Sequence, residues 1–442
     1  MRTAVLGAGI SGLTLARLLD EDGVDVRVFE SADRAGGLCL SETVDGWTTD
    51  VSGGHILFSR DSQVFDWEVE VLGGRDACVW HDRETRIRWM DQDGGQGRFI
   101  PYPFENGIGS LPDDALRDCL SGLIDATVAR QRGAPEPALF GDWIEWRFGT
   151  GIARHFMRPY NEKVWSVDLA EMGVDWVSGR VPDAPVEDIL IAAVGPPTVG
   201  YAHQAQFAYP RHGGFGALPA SVGAPVMDRV RLRTPAVEVR RVGDRWSVNG
   251  EDFDHVVSTI PLPILAAAMP DLPDADRSLV NSLRSLSITT VLLGLSHDEV
   301  PPLSWIYLPF PGQGPTNRVT VLSNYSPNNA PEGCASYLCE VTTDGPPRDD
   351  PDLVADVKAG IEAAGLASKD DVVAEIVRTC NYAYILFDPG SERRIPEAVA
   401  AVEATGLDLL GRFARYEYDN SDVCIAKARV LHARLLEQAR KG

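Results

Sequence analysis

Along the first thirty residues the apolar positions change period twice. Residues 2–6, RTAVL, form a short apolar run; LTLARLLDEDG then spaces its apolar residues at helical steps, and VDVRVFE returns to a strand pattern. Strand, turn, helix and strand follow from this. From about 106 to 195 the pattern is helical, with DDALRDCLSGLIDATVARQRG and FGDWIEWRFGTGIARHFMRPYNEKVW placing apolar residues three and four apart. VRLRTPAVEVRRVGDRWSVNG alternates with period two, as a hairpin returning to the first domain would, and DHVVSTIPL reads as a buried strand. The stretch of about 286–345, containing ITTVLLGL, WIYLPF, RVTVLSNYS and ASYLCEV, predicts an antiparallel sheet forming one wall of a site. The chain ends in a helical stretch, SDVCIAKARVLHARLLEQARKG, and carries no internal repeat.

Composition narrows the class. At 442 residues the chain is long enough for two to four domains. Its net charge of −23 disfavours nucleic acid and anionic membrane surfaces as partners. The seven cysteines show no CxxC spacing and read as reduced thiols. No apolar run reaches the roughly 18–20 residues of a membrane span. The early run AVLGAGISGLTLA is broken by three glycines and lacks a charged leader, so it does not read as a signal peptide. A soluble, cytoplasmic protein with no membrane insertion is expected, with no metal-ligand constellation and no forecast of oligomeric state.

The first turn carries chemistry. Gly7-Ala8-Gly9-Ile10-Ser11-Gly12 sits between the strand and the helix, and Glu30 closes the second strand 18 residues after Gly12. In a dinucleotide fingerprint Gly7 permits the tight turn, Gly9 admits a pyrophosphate and Gly12 allows close helix packing. The helix N-terminus supplies N–H donors to the phosphates, and Glu30 can take ribose hydroxyls. The segment 31–38 directly follows the acidic residue and carries a second glycine pair, Gly36-Gly37, before Leu38, which favours FAD over NAD. The expected fold class is α/β: an FAD-binding Rossmann-like domain over 1–80, 200–265 and 385–442, a helical insertion domain over 106–195, and an antiparallel β-sheet substrate domain over 81–105 and 266–384.

Longer blocks carry a more specific resemblance. DVSGGHILFS at 50–59, PYPFEN at 101–106, GTGIA leading to FMRPYNEKVW at 149–165, and SNYSP at 323–327 together resemble the UDP-galactopyranose mutase family, closer to its eukaryotic type. The resemblance runs in order through the whole chain. It implies an FAD-dependent isomerase that interconverts the pyranose and furanose forms of a nucleotide sugar, UDP-galactose first. The reduced flavin N(5) would attack the anomeric carbon with no net redox change, with NADH or NADPH as a possible reductant. It further implies that Arg158 and Arg318 clamp the diphosphate and that His55 and Gly54 lie beside the flavin. Arg83 would also reach the flavin, with Arg88 a competitor for that role, as would Gly213, Gly214, Asn420 and Asp422. Substrate would meet Tyr102, Phe104, Asn161, Trp165, Gln204, Tyr307 and Tyr384, together with Tyr416 or Tyr418, two residues apart on one face of an extended segment.

The sequence departs from that pattern at Glu105, where eukaryotic-type members usually carry Gln. A carboxylate accepts hydrogen bonds only, so it suits the adjacent N–H groups of guanine better than uracil, and a GDP-sugar becomes an alternative substrate. Another alternative is an oxidoreductase of the amine-oxidase superfamily, which shares the flavin module. A catalytically silent nucleotide-sugar binder is a third.

Overall fold

The structure is a computed structural model and describes residues 1–90, 97–178, 180–181, 184–196 and 205–441. Its first layer is a five-stranded parallel sheet. The strand β1 (Arg2–Leu6) sits at its centre, between β2 (Asp25–Phe29) and the strand His255–Ser258. Val5 pairs with Val28 on one side and Val257 on the other. Both faces are covered, so Ala4, Val5, Leu6, Val26 and Val28 are fully buried, as near-continuous apolar strands of a parallel sheet require. The helix α1 (Ile10–Glu21) turns Leu13, Leu15, Ala16 and Leu19 inward and packs against the final helix, Ser421–Lys441. The alternating segment after residue 229 contributes a short parallel edge strand, Val230–Arg231, and then a separate three-stranded antiparallel sheet over Val239–Val242, Arg245–Val248 and Glu251–Phe253.

The second sheet has seven strands, in the order Val372–Leu386, Arg284–Leu295, Ala335–Asp344, Arg318–Val321, Trp305–Tyr307, Thr85–Trp89 and Arg98–Pro101. It is mixed, which corrects the antiparallel expectation. Trp305–Tyr307 and Thr85–Trp89 run parallel. Neighbours close in sequence are joined by turns that force antiparallel pairing, whereas these two strands are more than 200 residues apart and no turn fixes their direction.

Helices Asp113–Gln131 and Phe140–Ile152 lie side by side and lead to the short helix Arg158–Trp165. The second of them breaks at Gly149, whose φ of +81° a side-chain-bearing residue rarely adopts, and where a Cβ would fall 2.2 Å from the Gly122 carbonyl oxygen. A wider turn over Ala153–Met157 follows. The helix Arg158–Trp165 follows these irregularities. Among the described residues no helix is long and apolar enough to cross a membrane, and no group of three His, Cys, Asp or Glu side chains is placed to hold a metal ion.

Candidate active site

Where β1 meets α1, the backbone leaves no room for side chains. Gly7 has φ +100°, and a Cβ there would lie 2.5 Å from Thr259 Oγ1; a Cβ on Gly12 would lie 2.0 Å from the Gly7 carbonyl oxygen. Gly9 is the residue ahead of the helix and offers no side-chain cap, so the first-turn amides of α1 have no side-chain acceptor and point at the turn. The second glycine turn lies against the first: Gly36 N–H donates to the Ala8 carbonyl at 2.9 Å, and Gly37 approaches the Gly9 backbone. Glu30 pins both turns, accepting from the Ala8 N–H at 2.7 Å and the Ala32 N–H at 2.9 Å. Leu38 packs partly buried beside them, and its carbonyl accepts the Ser52 hydroxyl.

A third wall comes from the hairpin Ser41–Asp50 and the Gly213-Gly214 turn. Asp50 is fully buried and accepts from Ser41 Oγ at 2.5 Å, the Tyr209 hydroxyl at 3.1 Å and the Phe215 N–H at 3.3 Å. Burial pushes its carboxyl up to about 6, against the pull of those hydrogen bonds. Above it His55 stacks on Phe215 with centroids 5.0 Å apart. Burial, aided by the charge of Arg318, lowers the His55 imidazole to about 4, and its buried Nδ1 has no hydrogen-bond partner. An uncapped helix N-terminus, two opposed glycine turns and an orphaned neutral imidazole fit a flavin dinucleotide running from the first turn to His55.

Beside His55 opens a cleft of about 400 Å³. Arg318, on the strand Arg318–Val321, donates to Glu340 Oε1 through Nε at 2.8 Å and to the Gly54 carbonyl at 3.2 Å. Glu340 also accepts the Gly54 N–H at 3.0 Å, so one carboxylate ties the arginine to the histidine loop. Glu340 is 1% exposed, whereas the Arg318 side chain is 24% exposed. Burial opposes the Arg318 charge, but Glu340 and the phenols Tyr384 and Tyr307 more than offset it and hold the guanidinium well above its usual range. From Arg318 a ladder of rings leads away. Tyr307 pairs with Arg318 across the strands, meets Tyr160 at 4.9 Å and Tyr102 at 4.8 Å, and Phe156 stacks between Tyr160 and Phe104 at 5.0 Å on each side. Glu105, the residue after Phe104, lines the cleft.

Arg60, Arg83 and Arg180 also bring cations to the cleft. Arg180 is held by Tyr418. It donates to the Tyr418 carbonyl, and its guanidinium lies 4.3 Å from the centre of the Tyr418 ring. Arg412 lies 4.2 Å from the same ring, and Tyr418 stacks on Tyr384 at 6.2 Å. Arg158 is elsewhere. On its helix Tyr160, Asn161 and Val164 share the face turned to the cleft, with Met157 just ahead of it, while Arg158 points off that face, donating to Glu145 at 2.9 Å and the Gly141 carbonyl at 3.0 Å and lining a separate hollow with Arg154 and Phe310. Among the described residues it is Arg180, not Arg158, that lines the cleft with Arg318, so Arg158 does not stand where the sequence expectation put it.

The remaining candidates divide. Gly54, Arg83, Tyr102, Glu105, Asn161, Trp165, Tyr307, Tyr384 and Tyr418 line the cleft. Arg83 lies 4.9 Å from the Trp305 ring, whereas Arg88 donates to the carbonyls of Ala364 and Gly97 outside it. Trp165 Nε1 donates to Asn161 Oδ1 at 3.2 Å, fixing both side chains. Phe104 lies behind the wall, stacked on Phe156. Tyr416 also fails to reach the cleft: its φ of +52° is not extended, and its ring turns into the core against Phe413. Asn420 and Asp422 flank the N-terminus of the final helix, Asn420 exposed and Asp422 buried. Gln204 lies outside the described residues. Arg60, Arg180, Tyr160, Tyr325, Trp305 and Glu340 also line the cleft and were not singled out from the sequence, although Tyr160 and Tyr325 stand within the MRPYNEKVW and SNYSP blocks.

Residues 10–365 match the family described as flavin containing amine oxidoreductase. The chain belongs to this family. Among curated relatives, hydroxysqualene dehydroxylase of Rhodopseudomonas palustris is 28% identical over 309 residues, and coproporphyrinogen III oxidase of Mycobacterium tuberculosis is 25% identical over 325. The alignments span 63% and 66% of this chain and 66% of each relative's length. Among solved structures, reduced UDP-galactopyranose mutase superposes with a TM-score of 0.88 at 27% identity, covering 99% of this chain and 96% of that one. A putative protoporphyrinogen oxidase from Exiguobacterium sp. 255-15 gives 0.72 at 17% identity, a likeness of fold alone. Membership of the flavin containing amine oxidoreductases supports a flavin cofactor, which the glycine turns fit, while the fold by itself does not fix the chemistry of the adjoining cleft.

Proposed function

We propose that this chain is an FAD-dependent isomerase that interconverts the pyranose and furanose forms of a nucleotide sugar. The observation that carries the reading is the cleft beside His55, where the guanidinium groups of Arg60, Arg83, Arg180 and Arg318 and several phenols converge. Arg318 and Arg180 supply forked N–H donors matched to phosphate, and Tyr384 and Tyr418 lie between them. Burial raises the Tyr384 phenol well above its usual range, so it stays protonated and can donate to a phosphate oxygen. The superposition on reduced UDP-galactopyranose mutase over nearly the whole chain supports the same reading.

Reduced FAD, held by Gly7, Gly9, Gly12, Glu30, Gly36 and Gly37 with His55 at its far end, would supply a nucleophilic nitrogen to the anomeric carbon. The chain's own residues do the rest. Arg318 and Arg180 stabilise the charge that grows on the departing diphosphate and keep that group in place for its return. His55 is neutral near pH 7 and adds no competing cation. Trp165, Asn161 and Tyr160 close one side of the cleft and limit the water that could intercept the reacting sugar.

An oxidoreductase is the second reading, favoured by the names of the aligned relatives. One experiment separates the two. The dithionite-reduced protein, incubated anaerobically with UDP-, GDP- and TDP-sugars, is expected to yield a furanose product with no net electron transfer. In a parallel aerobic assay of the oxidised protein, oxygen consumed in step with an oxidisable substrate, together with no furanose from any nucleotide sugar in the anaerobic assay, would establish the oxidoreductase instead. Arg180→Ala is expected to raise KM for the nucleotide sugar about 10- to 100-fold, the loss of one or two charge-assisted hydrogen bonds. Steady-state kinetics on the reduced enzyme would check this, and an unchanged KM would remove Arg180 from the clamp.

A further inference from the structure

The short helix Arg158–Trp165 borders two cavities. Tyr160, Asn161 and Val164 face the cleft, whereas Arg158 and Pro159 face a hollow of about 660 Å³ on a different side of the helix. That volume falls within the usual range for small-molecule sites. Its walls are largely apolar. Met90, Pro159, Phe310 and Pro311 supply most of them, with Ala363 from the end of the helix Leu353–Ala363. Two guanidinium groups, those of Arg154 and Arg158, stand in this apolar surround with a single carboxylate, Glu145.

We propose that this hollow is a second ligand site, separate from the cleft, and that it takes an organic anion with one acidic head and an apolar body, a monocarboxylate of medium chain length. A guanidinium carries five N–H donors. Arg158 engages Nε with Glu145 and Nη2 with the Gly141 carbonyl, and Arg154 engages Nη2 with Asp118, so Arg158 Nη1 and Arg154 Nε and Nη1 have no acceptor among the described residues. A carboxylate head can accept from both arginines. An ammonium head would meet two guanidinium groups and one carboxylate that Arg158 already matches, so the hollow selects the anion. An anion without an apolar body would leave the walls wet, whereas an alkyl chain gains by covering them. A third cation stands nearby. Lys163, on the same helix, donates to the carbonyl of Phe310 at 3.3 Å, and burial alone lowers its ammonium to about 7, with no carboxylate beside it among the described residues. In a chain whose net charge is −23, three cations gathered around one apolar hollow oppose the prevailing field and favour an anion there.

The test is isothermal titration of the flavin-loaded protein with octanoate, 1-octanol and octylammonium. Octanoate is expected to bind at least about tenfold more tightly than either, the usual worth of a charge-assisted hydrogen bond to its head group. Arg158→Gln and Arg154→Gln should each weaken octanoate about tenfold by the same reasoning, while the flavin spectrum reports whether the variant has kept its fold. Arg180→Gln, in the cleft, should leave octanoate affinity unchanged. Equal affinity for octanoate and 1-octanol, tighter binding of octylammonium, or no binding of octanoate would overturn the assignment with the wild-type protein alone. Octanoate affinity that falls in Arg180→Gln and not in Arg154→Gln or Arg158→Gln would put the anion in the cleft and overturn it as well. None of these measurements uses a nucleotide sugar, so their failure is distinct from a failure of the isomerase reading.

Discussion

Replacing Arg318 with alanine is expected to lower kcat/KM for the nucleotide sugar by about 10²- to 10³-fold, the range seen when a preorganised donor to developing charge is removed. The same change strips the cation from Glu340, which is buried and ion-paired at 2.7 Å. Breaking a buried pair from one side costs about 3–5 kcal/mol, because the remaining carboxylate has no counter-charge in a place with little water. Stability and activity would therefore fall together, and the single variant cannot say which loss is primary. The double variant Arg318→Ala, Glu340→Gln separates them. An amide at 340 can still accept the Gly54 N–H and carries no charge, so most of the lost stability should return in urea unfolding. The catalytic loss should persist, since the diphosphate still lacks its guanidinium. Arg318→Lys should also remain impaired, because a single ammonium cannot reproduce two parallel hydrogen bonds. Wild-type turnover by the double variant under reducing conditions would refute the assignment.

Arg318 was legible in the sequence as a cleft residue, and Arg180 was not. The flavin cradle announces itself because backbone geometry dictates it. At Gly7 and Gly12 a single added carbon would collide with Thr259 or the Gly7 carbonyl, so the glycine spacing reports the turn directly. Arg318 sits on a regular strand and inside a recognisable block, but Arg158, in the most distinctive block of all, points away from the cleft. The helix carrying it follows the Gly149 break and the wide turn after it, and neither leaves a periodic signature. Arg180 lies on an irregular segment and meets a tyrosine 238 residues later in the chain, a contact made only by the folded protein. The choice between Tyr416 and Tyr418 turned on an extended backbone that residue 416, in the left-handed region, does not have. Sheet direction failed for the same kind of reason: pairing between Trp305–Tyr307 and Thr85–Trp89 is set by packing, not by a turn. Local constraints could be read; juxtapositions across the fold could not.

Glu68 provides the other large effect, and it concerns stability rather than catalysis. It lies on the helix Ser62–Val71, is 0% exposed, and neither of its carboxylate oxygens meets a hydrogen-bond partner among the described residues. Burial, with the nearby Asp422 charge adding to it and Arg429 opposing, raises its carboxyl to about 8. An acid whose folded pKa lies above its unfolded one binds its proton more tightly in the folded state. Its contribution is therefore fully present below about 4.5 and is lost as pH rises through about 8. At about 1.4 kcal/mol per pH unit the loss across that window is about 5 kcal/mol. His55, lowered to about 4, works the other way, but only below its unfolded value near 6.5. Asp50, raised to about 6, adds to the loss between about 3.8 and 6. Both confounding groups have thus finished titrating before pH 7, and Glu68 dominates among these three above it. Glu68→Gln removes the ionisation while its buried amide imposes a cost that does not vary with pH. The comparison that matters is consequently the stability difference between wild type and Glu68→Gln at pH 5 and pH 9, measured by urea unfolding of the flavin-loaded protein. Wild type should lose about 4–5 kcal/mol relative to the variant between those values, by the same linkage. A difference that stays constant with pH would mean that Glu68 is ionised throughout, and that the final helix, through Asp422, faces a charge its surroundings do not otherwise support.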